Sequence, residues 1–230
     1  MKRTALALAA AAGLWAGATA AAPVIWVDWT SGSAGASGSA TGVIDLGPAG
    51  PDASDIGVSY SGEIRFIQTA GGTNYWTGNP SPYVSAAVDN APSTPDIIAL
   101  SLPTSKTLTF SRPVNNLFFA VVSLNGNGYR FNEDFTIESF ATGFWGNGTL
   151  TRQDLGNGTF QLNGSGEPHG VISFNRAVSS ITWSSLTNED WNGFTVGTYG
   201  EAIVAPIPVP AALPLFAAGL GLLGWKLRRR

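Results

Sequence analysis

His169 is the only histidine in the chain, and there is no cysteine. A zinc site built from several imidazoles or thiolates is thereby excluded, and a Ser-His-Asp triad would depend on this one ring. His169 stands in Gly164-Ser-Gly-Glu-Pro-His-Gly170, a turn-rich stretch without a nucleophile-elbow pattern, so it reads as non-catalytic. The carboxylate pairs Glu133/Asp134 and Glu189/Asp190 have the residue types that glycoside hydrolysis needs. Adjacent residues on a strand point to opposite faces, so neither pair alone sets two acids across one sugar bond. The expectation is a protein that is not an enzyme, with a secreted glycoside hydrolase or other hydrolase as the competing reading.

Binding residues are easier to nominate. Asn188-Glu189-Asp190 and the stretch from Asp52 to Asp55 are oxygen-rich and could pin a loop through calcium, although solvated acidic loops have the same composition. No other cofactor is expected. Trp76, Trp145 and Trp191, with Tyr75, lie among Gly and Asn, where an exposed ring could stack on a sugar, although most tryptophans are core residues. A carbohydrate-binding β-sandwich module is therefore a second functional alternative.

The elements that must position these residues read as strands. Gly is 29 of 230 residues and charged residues are 12%, so the chain lacks the composition of long helices. Hydrophobic residues at 44% and aromatics at 11% are too many for a disordered polar chain, and they imply a packed core. Val58, Tyr60, Ile64 and Phe66 alternate with Ser59, Ser61, Glu63 and Arg65, which predicts a half-buried strand or strand pair. Leu117 to Val122 is a continuous apolar run suited to a central strand covered on both sides.

Asn-Gly begins at Asn125, Asn127, Asn147, Asn157, Asn163 and Asn192, and the dipeptide supplies the positive φ of tight hairpins. Three of these sites match the N-glycosylation triplet (Asn147, Asn157, Asn163) and are read as turns. Phe110-Ser-Arg-Pro-Val-Asn-Asn-Leu117-Phe-Phe119 is echoed by Phe174-Asn-Arg-Ala-Val-Ser-Ser-Ile181-Thr-Trp183, predicting one hairpin solution used twice, with Phe inward and Arg outward. Together these signals predict an all-β, jelly-roll-like β-sandwich over 23–204.

The two ends differ from this middle. Lys2 and Arg3, an apolar run from Ala5 to Ala18 and small residues at Ala18-Thr19-Ala20 or Ala20-Ala21-Ala22 have the layout of a signal peptide over 1–22, read by the Sec translocon and signal peptidase. From Ala205 the chain shows alternating prolines, an apolar stretch from Ala211 to Trp225 and a basic terminus. As a helix that stretch is about 22 Å long, so spanning a bilayer calls on local thinning and on snorkelling by Lys226, Arg228, Arg229 and Arg230. The same basic residues orient the helix with its large domain outside the cytoplasm. Setting the ends aside leaves six basic against 15 acidic side chains, a net charge of −9, which argues against nucleic-acid binding.

The tail over 205–230 resembles the PEP-CTERM sorting signal, in which a short proline motif precedes one transmembrane helix and an Arg cluster. Ile207, Pro208, Val209, Pro210 and Ala211 align with the motif. Val209 stands where many members carry Glu, which groups the tail with the Val-Pro-x-Pro-Ala-Ala variants. The resemblance implies cleavage by an exosortase-like membrane protease, passage through an inner-membrane-anchored intermediate, and delivery to the cell surface or the extracellular matrix. Exopolysaccharide or a biofilm matrix is the partner it suggests.

Overall fold

The computed structural model describes residues 23–47 and 54–200. The expectations for 1–22, for Asp52 and for the tail over 205–230 lie outside the described residues. Within them the secondary structure is all strand: β1 (Val24–Trp26), β2 (Asp28–Ser33), β3 (Gly35–Ile44), β4 (Ile56–Ile64), β5 (Phe66–Gln68), β6 (Ile97–Leu100), β7 (Ser105–Val114), β8 (Phe118–Val122), β9 (Gly128–Phe131), β10 (Phe135–Ala141), β11 (Gly148–Gly156), β12 (Thr159–Gly166), β13 (His169–Phe174), β14 (Val178–Ser185) and β15 (Asn192–Tyr199).

These form two antiparallel sheets, as a β-sandwich requires. One is eight-stranded, in the order β11-β12-β9-β14-β7-β4-β3-β2. The other is seven-stranded, in the order β10-β13-β8-β15-β6-β5, with β1 also pairing β15. Between the sheets Phe119 and Phe194 stack at 4.8 Å, Trp183 meets Phe119 edge-on at 5.5 Å, and Phe131 does so at 5.7 Å. Burying each such ring contributes roughly 1.5–3 kcal/mol.

The apolar run of β8 is covered on both sides, as its composition predicted. Phe119 and Val121 face the inter-sheet core, while Phe118, Ala120 and Val122 enter a second core on the outer face of the seven-stranded sheet. The connection 69–96 builds that second core by laying Trp76, Tyr83 and Val88 over the sheet. Hydrogen bonds tie it down: Asn90 accepts from Val24 N at 2.7 Å and donates to Val24 O at 2.9 Å, and the Tyr199 hydroxyl donates to Ala87 O.

Three expectations need correction. The alternation from Val58 to Phe66 breaks at Gly62, whose φ of 149° disfavours a side chain, and the chain then crosses between sheets. Phe66 therefore packs against the second core, and Glu63 turns inward at 3% exposure, its carboxylate accepting from Ser101 N, Ser101 Oγ and Leu102 N. The two echoed segments are not hairpins: β7 leads to β8 and β13 to β14 by passing from one sheet to the other. Their strands pair antiparallel, β7 with β14 and β8 with β13, so they turn the sandwich corner side by side. Phe110 and Phe174 do point inward, and Arg112 and Arg176 outward.

Of the six Asn-Gly dipeptides, only Asn157-Gly158 forms a two-residue hairpin tip, with φ of 55° and 72° between β11 and β12. Others lie within or at the start of strands, where the glycine is needed for close approach. A Cβ on Gly164 would lie 2.1 Å from Leu124 O, and one on Gly128 2.3 Å from Leu162 O.

Candidate functional site

Four loops meet at one end of the sandwich: β8–β9, β10–β11, β12–β13 and β14–β15. They contribute Ser123 and Asn125, Trp145, Glu167, and Glu189, Asp190 and Trp191 to a cleft of about 270 Å³. That is near the small end of ligand clefts, which run roughly 300–1,000 Å³.

One wall is aromatic. Trp145 is 53% exposed and Phe144 40%. The Tyr75 and Trp145 rings stack at 6.4 Å and 25°, and Tyr75 meets Trp191 at 5.0 Å and Phe144 at 5.1 Å. Phe66 supports the group from below through Trp191, at 5.0 Å. Trp145 is more exposed than Phe144, and an exposed indole is a surface on which another ring can stack.

The loop carrying Trp145 is pegged by His169. This residue is fully buried, and burial lowers its pKa to about 4, so the ring is neutral at ordinary pH. Trp145 N donates to Nε2 at 3.4 Å, which leaves the proton on Nδ1, 3.2 Å from the Tyr83 hydroxyl. Gly143 lets the loop close over the imidazole, since a Cβ there would lie 2.2 Å from the ring. His169 thus positions the platform from beneath and is itself buried away from solvent.

The rest of the lining is polar and mainly acidic. Glu189 Oε2 accepts from Asn127 Nδ2 at 2.8 Å and from Asn192 Nδ2 at 2.9 Å, and Oε1 accepts from Asn125 N at 3.2 Å. Asn127 Oδ1 in turn accepts from Gly128 N, Leu186 N and Thr187 N, so one carboxamide sets the shape of two loops. Tyr129 donates its hydroxyl proton to Asn192 Oδ1. Burial raises the Glu189 pKa, the amide donors oppose that rise, and the nearby Glu167 charge adds to it. Glu167 Oε2 accepts from Ser123 Oγ at 2.5 Å. Asp190 is exposed.

The nominated residues divide accordingly. Trp145 and Trp191 come together with Glu189 and Asp190 in one cleft, as does Tyr75 through its ring contacts. Trp76 does not. It is 4% exposed, packs edge-on against Tyr83 at 5.2 Å and donates its indole N–H to Asp96 O at 3.1 Å, so it is a core residue unable to meet a sugar. Asp55 is remote from the cleft lining and accepts from Leu46 N at 3.0 Å, bracing the β3–β4 connection. Among the described residues no three His, Asp or Glu side chains are grouped as metal ligands.

Glu133 and Asp134 are likewise outside the cleft. Glu133 takes a two-pronged ion pair from Arg176, at 2.6 Å on each oxygen, and Asp134 pairs with Arg152 at 2.9 Å. Sequence reading missed Asn127, Asn192 and Tyr129 as supports for the acidic wall, and Glu167 as part of it. The Asn-Gly dipeptides were the available signal, because two of them place their Asn side chains on Glu189.

The fold and site define a two-sheet, all-β sandwich with an aromatic and acidic loop cleft at one end. Compared with protein-family models, with characterised proteins and with solved structures, the chain matches none.

Proposed function

We propose that this chain is an exported, non-enzymatic protein of the cell envelope or extracellular matrix whose jelly-roll-like ectodomain holds carbohydrate in the Trp145 cleft. Export rests on the signal-peptide layout of 1–22 and on the resemblance of 205–230 to a PEP-CTERM tail, with its proline motif, apolar stretch and Arg cluster, and with an exosortase-like protease as partner. The carbohydrate reading rests on one observation: Trp145, more than half exposed, lines a loop-built cleft with Trp191 and lies near-parallel to Tyr75. Such exposure costs solvation free energy, and a sugar ring stacked there would recover it.

Exopolysaccharide of the surrounding matrix is the natural occupant for a protein delivered to that place. Two measurements test the proposal. Mass spectrometry of the protein from its native host is expected to find a start near Ala21 or Pro23 and an end near Pro210; a full-length cytosolic product would overturn export. A glycan array is expected to show binding that disappears in Trp145→Ala, and an array blank for both proteins would overturn the carbohydrate reading.

A further inference from the structure

The cleft's chemistry narrows the ligand. Three carboxylates, from Glu167, Glu189 and Asp190, line it, and among the described residues no Lys, Arg or His lines it with them. Elsewhere the protein neutralises such groups directly, as Arg176 does for Glu133 and Arg152 for Asp134. Here the partners are neutral: two carboxamides and a backbone amide on Glu189, and a serine hydroxyl on Glu167. Oε1 of Glu167 and both oxygens of Asp190 retain unused acceptor capacity.

The same cleft is lined by Trp145 and Trp191, whose ring faces carry negative electrostatic potential. Carboxylates and aromatic faces share a preference for a cation. A neutral or acidic sugar would leave the first uncompensated, and an inorganic cation would leave the second without a flat partner. From this pairing we infer that the cleft selects an amine-bearing sugar, its ring stacked on Trp145 and its protonated amino group directed at the cleft's carboxylates, of which Glu167 and Asp190 keep open acceptor positions.

This inference rests on the carbohydrate reading, and the test separates the two. The full ectodomain is titrated with chitosan oligosaccharide, its fully N-acetylated counterpart and a short polylysine, and binding is followed by Trp fluorescence and calorimetry. Chitosan oligosaccharide is expected to bind about tenfold more tightly than the acetylated form, the effect of one desolvated cation–π or charge contact. The preference should shrink in the doubly neutralised Glu167→Gln/Asp190→Asn variant, which keeps every hydrogen bond accepted by Glu189, and should weaken as salt rises.

Equal or tighter binding of the acetylated oligosaccharide would overturn the amine inference and leave the carbohydrate reading standing. Polylysine binding as tight as chitosan, and indifferent to Trp145→Ala, would reduce the cleft to a charged patch and overturn it too. Failure of all sugars to bind, together with a blank array, would remove both.

Discussion

The two sheets treat their outer faces in opposite ways. On the seven-stranded sheet the connection 69–96 folds back as a roof, and the aromatic residues beneath it form a second core that continues into the cleft wall through Phe66, Tyr75 and Trp191. On the eight-stranded sheet the outer face is a grid of hydroxyls. Ser33, Ser39, Ser61, Thr107 and Thr182 lie in register across five strands, and Ser31, Thr41, Ser59, Thr109 and Ser180 form a parallel row. Neighbours in the grid bond one another, as in Ser31 to Thr41 at 2.8 Å and Thr107 to Thr182 at 3.2 Å. A face of short hydroxyls satisfies itself and water, whereas an aromatic face must be covered, and its uncovered margin is where the candidate site lies. On the proposed function, binding draws on the incomplete edge of a second core.

Breaking the roof should give the largest effect. Trp76→Ala removes a ring packed on Tyr83 beneath the connection and should cost about 3–5 kcal/mol in denaturant unfolding. If the comparison is wrong and the roof is incidental, the loss will be no greater than for a surface residue.

Acid should act on the roofed side through His169. Its pKa falls from the ordinary 6.5 to about 4 on burial, so between those values the unfolded chain binds a proton that the folded one refuses. Its contribution is complete above pH 6.5, declines as pH falls toward 4, and is flat below, a loss of about 3 kcal/mol. Asp96, raised to about 6 mainly by burial, works in the opposite sense, its contribution fading as pH climbs through 6. The His169 share is therefore read as the difference between wild type and His169→Phe across that range. Parallel pH profiles would contradict a neutral buried ring.

The hairpin tip Asn157 sits at φ 55°, so Asn157→Ala should cost about 1 kcal/mol in thermal or chemical unfolding, with the cleft unaffected. The smallest effect belongs to the hydroxyl grid. Ser59→Ala and Thr109→Val, one at a time, should stay within about 0.5 kcal/mol of wild type. A larger loss would mean that the bare face is structurally engaged and would weaken the contrast between the sheets.

Local patterns in the chain determined a good deal. Low charge, abundant glycine and alternating apolar residues specified strands, and the unbroken run at Leu117–Val122 specified a strand with two covered faces. The Asn157-Gly158 turn was legible for the same reason: each property depends on near neighbours and on the two-residue period of a strand.

Only the tertiary structure decided which aromatic is platform and which is core. Trp145 and Trp76 have similar Gly- and Asn-rich neighbours, yet one is half bare and the other sealed under Tyr83. Nor could the chain order show that Ser123, Trp145, Glu167 and Glu189 share a cleft, that Asn127 and Asn192 hold Glu189, or that the echoed Arg segments turn corners between sheets. Those facts depend on strand pairing across dozens of residues. Exposure and hydrogen bonding are properties of the surroundings that pairing creates, and no short stretch of sequence contains them.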